Sequence, residues 1–355
     1  MSDSDFGDII ESIEAFLLGG PPTLTRIEVA EQAGVPLELA QELWRQLGFA
    51  HVTDETVAFT ESDVEALQLT IDLMRMGILP PESQAALVRT WGRSYARLAE
   101  WQISLLAGVA VDGPNPEVRL AELAAGVLPR VEALQSYVWR RHLSSASNRL
   151  LTTGTPSNPE REMAVCFVDI VGYTTRSKSL EEDALVEWIE GFEQVATGTV
   201  IDHGGRVIKT IGDEILFTTD EPAAAVEIAL ALTERGSDED DPFPSVRAGI
   251  AYGLVVSRLG DVFGSTVNIA ARLTSVAKPG TVVIDRGAHD ELTGASTDDT
   301  EAEEPEEPTE DDEAADSTDD SDSPELDYRF RRLRRVSVKG YARLEAWRLQ
   351  RPKGD

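Results

Sequence analysis

The chain has 355 residues, of which 64 are acidic and 32 are basic, and its formal net charge is −32. Residues 298–327 contain 17 of the acidic residues and no Lys or Arg, so about half of the excess negative charge lies in one segment. Such a polyanion is a poor general partner for nucleic acids, whose phosphates are neutralised by Lys and Arg. The charge equally disfavours binding to anionic membranes.

Length and composition set the remaining bounds. A chain of this size accommodates two domains. No apolar run reaches 18 residues, so no transmembrane helix is expected. The first residues are acidic, whereas a signal peptide begins with a basic region. The single cysteine, Cys166, lies in an apolar run and is expected to be a buried small hydrophobic residue. Together these features predict a cytoplasmic protein.

The N-terminal part has the periodicity of helices. Apolar residues in 1–20 recur at steps of three and four, and residues 24–49 predict two helices separated by a turn at Gly34. This second segment resembles the helix-turn-helix of transcription regulators. It contains two Arg and four Glu, however, and a recognition helix of that charge would repel DNA phosphates. We therefore interpret it as a helical packing module.

The pattern of helices continues over residues 60–110 and 117–150, with Thr60 or Ser62 as a candidate N-cap. The first of these segments has an apolar stripe that predicts core or dimer contacts: Leu87, Trp91, Tyr95, Leu98 and Trp101. Residues 152–159, rich in Gly, Pro, Ser and Asn, predict a domain boundary. The sequence thus predicts an all-α domain at 1–150.

Strand and helix patterns alternate in the second part of the chain. We expect strands at 163–168, 207–211, 215–218, 245–256 and 281–284, and a last hairpin formed by 328–338 and 342–349. We expect helices at 222–236 and 265–276, and one marked by apolar residues at 185–195 and closed by the glycines at 204–205. This order predicts an α+β domain over 160–350, a ferredoxin-like α/β sandwich. Residues 297–327 are acidic and nearly free of apolar side chains, which predicts a disordered insert.

Two aspartates follow apolar runs in this domain. Asp169 ends the first run, and Asp213 lies in a Gly-Asp turn. An isolated Asp commonly caps a helix or fills a turn. Two such carboxylates can instead hold metal ions that activate an oxygen nucleophile and stabilise a leaving oxygen. Residues 170–173 turn into a predicted helix, whose N–H groups suit phosphates. The pair therefore indicates a two-metal nucleotide site.

A later segment places Asn268 and Arg272 four residues apart, on one face of a helix. Arg272 is suited to stabilise charge on a transferring phosphoryl group, and Asn268 to orient a sugar. Without further context, the same pair would be ordinary exposed residues of an amphipathic helix.

Four ordered motifs together resemble the class III nucleotidyl cyclases. They are Phe-Val-Asp-Ile-Val-Gly-Tyr-Thr (167–174), Lys-Thr-Ile-Gly-Asp-Glu (209–214), Asp-Val-Phe-Gly-x-x-Val-Asn-Ile-Ala-Ala-Arg (261–272) and Val-Lys-Gly (338–340). The resemblance covers about 160–350 except the acidic insert. It implies a homodimer that makes 3′,5′-cyclic AMP and pyrophosphate from ATP, using two Mg²⁺ or Mn²⁺ ions in each site at the dimer interface.

The resemblance also implies a role for each matching residue. Asp169, Asp213 and Ile170 correspond to metal ligands, Lys209 and Asp261 to the adenine-reading pair, Asn268 and Arg272 to the transition-state residues, Arg247 and Lys339 to phosphate-binding positions, and Phe167, Ile170, Val171 and Gly172 to substrate-binding positions. In the family one subunit supplies the metal ligands, and the other supplies the adenine and transition-state residues. This chain has both sets.

The Lys209–Asp261 pair bears on the choice of base. Lys can donate to an adenine ring nitrogen, and Asp can accept from the exocyclic amine. Guanine presents the opposite pattern, so a Glu with a small residue would be expected for GTP. A guanylate cyclase is therefore a weaker alternative. A diguanylate cyclase has a similar acidic turn but no place for the Val-Asn-Ile-Ala-Ala-Arg helix, and a transcription module is disfavoured by charge.

The N-terminal part is similar to the regulatory domains of soluble two-domain cyclases of actinobacteria. In those proteins a helical domain restrains the catalytic domain, and some members respond to pH. His142 follows Arg140 and Arg141 in the last predicted helix of this domain. A histidine there can change charge near pH ~6.5 and alter helix packing. His142 is a candidate regulatory residue, and an exposed histidine without such a role explains the sequence about equally well.

Overall fold

The computed structural model describes residues 14–78, 80–111, 115–152, 160–238, 240–295, 328–333, 336–338 and 341–352. The chain divides into two units, Met1–Pro156 and Ser157–Asp355. Within the described ranges, no helix is both long enough and apolar enough to cross a membrane. The predictions for residues 1–13, for residues 153–159 of the domain boundary, for the insert at 297–327 and for Lys339 lie outside the described residues.

The first unit is built mainly from helices, as predicted. Its helices are α1 (Arg26–Ala33), α2 (Leu37–Leu47), α3 (Glu61–Arg75), α4 (Pro81–Val111) and α5 (Pro116–Thr152). Gly34 ends α1 with a φ of 69°, a left-handed conformation that glycine adopts without steric cost. The predicted turn at Gly34 is confirmed.

Capping boxes start two of these helices. Thr25 accepts from the N–H of Glu28, whose carboxylate accepts from the Thr25 N–H at 2.8 Å. Thr60 forms the same arrangement with Asp63 before α3. Of the two candidates that the sequence offered, Thr60 and Ser62, the N-cap is therefore Thr60. The unit is not wholly α-helical, because β1 (Leu24–Thr25) pairs with β2 (Val57–Phe59) in a short antiparallel ladder that was not predicted.

The aromatic stripe of α4 contributes little to the core of a single chain. Trp91, Tyr95 and Trp101 are 41%, 55% and 59% exposed. The close packing of α4 occurs instead at Gly92, where an added Cβ would lie 2.3 Å from the carbonyl oxygen of Leu47 at the end of α2. The stripe was predicted to form core or dimer contacts, and core contact is wrong for these three residues. Contact with a second chain stays a prediction.

One eight-stranded sheet forms the centre of the second unit. Its strands are β3 (Glu160–Ile170), β4 (Arg206–Ile211), β5 (Glu214–Thr219), β6 (Val246–Arg258), β7 (Asp261–Phe263), β8 (Val282–Asp285), β9 (Arg329–Arg332) and β12 (Ala346–Gln350). The order is β4-β5-β3-β6-β8-β12-β9, and β7 pairs with β6. The antiparallel β4-β5-β3-β6 part has the ferredoxin-like order, which confirms the predicted fold.

Helices cover both faces of this sheet. They are α6 (Tyr173–Ser177), α7 (Glu182–Asp202), α8 (Pro222–Arg235), α9 (Ser265–Val276) and α10 (Arg286–Thr293). Alternate residues of β3 point to opposite faces. Cys166 is fully buried with the side chains of α7 and α8, whereas Phe167 packs with those of α9. Two apolar layers thus fix the register of β3, which leads directly to Asp169.

Two details of the second unit differ from the predictions. Helix α10 was missed, because its eight residues contain a glycine and little apolar periodicity. The last hairpin is interrupted on both sides. Strand β9 pairs with β12, while β10 (Val336–Val338) pairs with β11 (Tyr341–Leu344) in a separate two-stranded ladder. The interruption at Glu345 separates β11 from β12, so the hairpin changes sheets.

The start of α10 provides a stability prediction at Asp285. Its Oδ1 accepts hydrogen bonds from the N–H groups of Ala288 (2.9 Å) and Tyr252 (3.1 Å), and the residue is 7% exposed. Burial raises the pKa of Asp285 from 3.8 to about 6. The native state therefore holds this proton more tightly than the unfolded chain. The stability associated with it is present below pH ~4 and is lost as the pH rises through ~6.

In the wild type, ionisation of Asp285 should lower the free energy of unfolding by about 3 kcal/mol between pH ~4 and ~7. We expect this decrease to be absent in Asp285→Asn. Asp285→Ala should be less stable than Asp285→Asn by about 2–3 kcal/mol, because two buried N–H groups lose their acceptor. Urea unfolding of the three proteins across this pH range measures both effects. The same pH slope in wild type and Asp285→Asn would contradict the assignment.

Candidate active site

Three carboxylates meet where β3, β4 and β5 end or begin. Asp169 is the penultimate residue of β3, Asp213 lies in the turn between β4 and β5, and Glu214 is directly opposite Asp169 in the ladder. Gly212 makes the turn possible with a φ of 66°. The N–H of Ile170 donates to the carbonyl of Asp213 at 3.1 Å, which ties the turn to the end of β3.

The electrostatics of these carboxylates reflect their proximity. Burial raises the pKa of Asp213, and the charge and hydrogen bonding of Asp169 add to the rise. A backbone hydrogen bond and the charge of Arg247 oppose it. Burial, followed by the charges of Asp169 and Asp213, raises the pKa of Glu214 to about 7. Negative charge at this point is therefore costly without a cation.

Arg247 of β6 supplies the nearest positive charge. It lies directly opposite Asp169 in the ladder. Its Nε and Nη2 are 2.7 and 2.6 Å from Oδ2 of Asp169, and its Nη1 donates to the carbonyl of Ser275 at 3.3 Å. The side chains of Arg247 and Asp169 are 33% and 16% exposed, so the pair is partly withdrawn from water.

Asp169 and Asp213 are suited to hold divalent cations. Mg²⁺ is commonly held by one or two carboxylates together with substrate phosphates. The hydrogen bond from Ile170 to the carbonyl of Asp213 holds the turn beside the strand end that carries Asp169. No group of three or more His, Cys, Asp and Glu within the described residues forms a fuller metal-binding set. The chemistry of this pair fits cations that arrive with a nucleotide.

Lys209 and Asp261 form a second polar pair. The Nζ of Lys209, on β4, is 2.6 Å from Oδ2 of Asp261, the first residue of β7. Oδ1 of Asp261 accepts from the N–H of Val262 at 2.9 Å, which orients the carboxylate. Their side chains are 42% and 33% exposed, so a donor and an acceptor lie side by side where a ligand can reach them.

Asn268 and Arg272 lie on the exposed side of α9, as their spacing predicts. The opposite side of the helix is buried through Thr266, Ala270 and Leu273. Neither Asn268 nor Arg272 hydrogen-bonds to another side chain in the part of the chain that the structure describes. Both side chains are available to a ligand or to a second chain.

The segment after β3 differs in part from the expectation. The N–H group of Ile170 donates to the carbonyl of Asp213, and that of Val171 donates to the carbonyl of Ser245. These two bonds hold adjacent chain segments together. These two N–H groups are therefore not free for phosphate. Gly172 has a φ of 74° and precedes α6, whose first N–H groups lack intrahelical acceptors.

Aromatic packing holds the short helix α6. The ring of Tyr173 stacks on Trp188 of α7 with centroids 6.1 Å apart, and the guanidinium of Arg176 lies 4.7 Å from the Trp188 ring centroid. A helix of five residues has little stability of its own, so this stack positions the segment. Phe167 is only 5% exposed and packs in the core, so its side chain supports the site from below.

The predicted residues thus form two groups within the chain. Asp169, Asp213 and Arg247 make one, and Lys209 and Asp261 make the other, with no hydrogen bond or ion pair between the groups among the described residues. Glu214 was missed as a member of the first group. The sequence shows only that Glu214 follows Asp213, whereas its position opposite Asp169 is set by the pairing of β5 with β3. His142, in the first unit, is an exposed residue of α5.

Comparisons with known proteins identify the family of the chain. Residues 155–308 match the model of the adenylate and guanylate cyclase catalytic domain. The adenylate cyclase of Streptomyces coelicolor (strain ATCC BAA-471 / A3(2) / M145) is 38% identical over 285 residues, which cover 79% of this chain and 74% of that protein.

Two further relatives match similar shares of this chain. The adenylate cyclase of Glutamicibacter nicotianae is 38% identical over 78% of this chain and 74% of its own length. A pH-sensitive adenylate cyclase of Mycobacterium tuberculosis (strain CDC 1551 / Oshkosh) is 29% identical over 76% of this chain and 70% of its own. With its acidic pair, its Lys–Asp pair and this similarity over most of its length, the chain belongs to the class III nucleotidyl cyclases.

Proposed function

We propose that the protein is an adenylate cyclase that converts ATP to 3′,5′-cyclic AMP and pyrophosphate. The observation that carries the choice of ATP is the contact between Lys209 and Asp261, with Nζ and Oδ2 2.6 Å apart. The ammonium group can donate to adenine N1, and the carboxylate can accept from the N6 amine. Guanine has a donor at N1 and an acceptor at O6, so both contacts would become repulsive. The relatives named adenylate cyclases support the same base.

In the proposed reaction, the ribose 3′-oxygen attacks the α-phosphorus in line with the bond to the β-phosphate. The O3′–Pα bond forms, the bond from Pα to the bridging oxygen breaks, and pyrophosphate leaves with the electron pair. Asn268 would orient the ribose, and Arg272 would stabilise the charge that develops on the α-phosphate. Both side chains project from the exposed side of α9, where they can contact a nucleotide.

Asp169 and Asp213, with the carbonyl of Ile170, would hold two divalent cations, Mg²⁺ or Mn²⁺. When bound, such cations favour deprotonation of the 3′-hydroxyl and neutralise the triphosphate. Arg247 and Lys339 would bind phosphates, and the Gly172 segment would contact the same groups. The stack of Tyr173, Trp188 and Arg176 supports this role because it holds α6 next to Asp169.

We further propose that two copies of the chain form a homodimer with two sites at the interface. The acidic group of one subunit would face the Lys209–Asp261 pair and α9 of its partner. The lack of a direct contact between these groups within the described part of one chain supports this arrangement. A symmetric dimer would then contain two complete sites.

Product analysis tests the proposed activity. Purified full-length protein is incubated with equal concentrations of ATP and GTP and with Mg²⁺ or Mn²⁺, and the products are identified by chromatography and mass spectrometry. We expect 3′,5′-cyclic AMP and pyrophosphate as the main products. A predominance of cyclic GMP would overturn the assignment of the base, and a dinucleotide product would overturn the reaction itself.

The first unit, 1–150, is proposed as a regulatory domain of a cytoplasmic enzyme. Two facts support it: the similarity to a relative described as pH-sensitive, and the exposed position of His142 in α5. If His142 contributes to activation at acid pH, His142→Ala should lower the ratio of cyclase activity at pH ~5.5 to that at pH ~8. His51→Ala, at an exposed histidine of the same unit, is the control. An unchanged ratio in His142→Ala would remove this role.

A further inference from the structure

The guanidinium of Arg247 contacts a carboxylate that, in the proposed function, would hold a cation. Its Nε and Nη2 both contact Oδ2 of Asp169, at 2.7 and 2.6 Å. The third contact, from Nη1 to the carbonyl of Ser275 at 3.3 Å, holds the guanidinium against the end of α9. Cross-strand pairing of Arg247 with Asp169 fixes the two backbones. The ion pair is therefore part of the sheet and not a chance contact of two mobile side chains.

The surrounding charges make Arg247 an internal counter-ion. Asp169 pairs with Glu214 on one side and with Arg247 on the other side of β3, and Asp213 directly precedes Glu214, so Arg247 contacts a cluster of three carboxylates. A divalent cation that approached Asp169 would meet a like charge already hydrogen-bonded there. Arg247 and the cation would compete for the same carboxylate and would repel each other.

We propose that Arg247 blocks cation binding to the nucleotide-free site and is drawn from Asp169 to the substrate's phosphates when the nucleotide binds. The inference rests on the proposed function, in which Asp169 and Asp213 hold cations. It adds that one side chain couples the two binding events. Guanidinium groups bind phosphate with bidentate geometry, so the phosphates offer Arg247 a replacement partner. The cation and the nucleotide should therefore bind cooperatively.

Direct measurement of cation binding, without turnover, tests the coupling. Mn²⁺ is titrated into the full-length, nucleotide-free protein, and free Mn²⁺ is followed by electron paramagnetic resonance. We expect Arg247→Gln to bind Mn²⁺ on the order of tenfold more tightly than the wild type, because a nearby like charge and a competing hydrogen-bond donor are gone. The same variant should have a higher KM for ATP at saturating Mn²⁺, because a phosphate contact is lost.

Arg161→Gln is the matched control. Arg161 lies at the opposite end of β3, pairs with Asp220 at 3.4 Å and has a side chain that is 34% exposed, close to the 33% of Arg247. The change removes the same charge from the same sheet, so Mn²⁺ affinity and KM should stay at the wild-type values. An equal gain of affinity in Arg161→Gln, or no gain in Arg247→Gln, would overturn the proposal.

Two further variants keep the test decisive. Arg247→Lys retains the charge but cannot make the forked contact with Asp169 together with the bond to Ser275, so a smaller gain of about threefold is expected. It replaces Arg247→Gln if that protein fails to fold by circular dichroism. Asp213→Asn should lose Mn²⁺ binding. Wild-type Mn²⁺ affinity in Asp213→Asn would refute the proposed metal site itself, whereas loss there with no change at Arg247 would refute only the coupling.

Discussion

Replacement of Asp213 by asparagine is expected to lower kcat for cyclic AMP formation by about 10³-fold or more. Metal ions at such a site contribute several kcal/mol to the stabilisation of the transition state, and ~1.4 kcal/mol corresponds to a factor of ten. The side-chain amide cannot supply the negative charge that holds the cation. Initial rates with saturating ATP, measured over a range of Mg²⁺ and Mn²⁺ concentrations, give the effect.

The fold should survive this change. The raised pKa of Asp213 means that its charged form is unfavourable in the folded state, so loss of the charge should leave the melting temperature at neutral pH unchanged or higher. Asp220→Asn is the control, because Asp220 directly follows β5 and its side chain is 71% exposed. It should retain activity. Substantial metal-dependent activity in Asp213→Asn would contradict the metal assignment.

Inactive subunits are expected to complement each other. Asp213→Asn lacks a member of the acidic group, and Arg272→Ala lacks the exposed arginine of α9, so each homodimer should be nearly inactive. In a heterodimer purified by two different tags, one interfacial site would contain both substitutions and the other neither. Activity should therefore return to about half of the wild-type value per dimer.

A second heterodimer gives the opposite result and serves as the control. It pairs a wild-type subunit with a subunit that carries both Asp213→Asn and Arg272→Ala. If each site takes residues from both chains, every site has one defect and the dimer is inactive. If each chain has its own complete site, this dimer keeps about half of the activity and the first heterodimer has none. The two preparations thus separate shared sites from independent ones.

Much of the fold was predictable because the local patterns are strong. The helix at Ser265–Val276 matches its prediction residue for residue, and the turn at Gly34 requires a conformation that glycine adopts readily. The α10 helix was missed because its eight residues contain a glycine and little apolar periodicity, although Asp285 caps its start. The split of the last hairpin depends on which strand lies beside β12.

The candidate site shows the same division. The residue types and spacings of Asp169, Asp213, Asn268 and Arg272 could be read from the motifs. The role of Glu214 could not, because the sequence does not show that it faces Asp169 across a ladder. Nor does it show that the N–H of Val171 is already bonded to Ser245. Hydrogen-bond partners that are distant in the chain depend on strand register.

The sequence alone was sufficient for the family resemblance, the two-part organisation and the residue types of the site, because these depend on motifs and on periodicity within short segments. The tertiary structure decided which charges meet. Arg247 and Asp169 are 78 residues apart in the chain, yet sheet pairing sets their side chains 2.6 Å apart. Lys209 and Asp261 meet across 52 residues although their strands, β4 and β7, are not paired with each other. Strand pairing brings together charges that no local pattern relates, and the energetics of the site follow from those contacts.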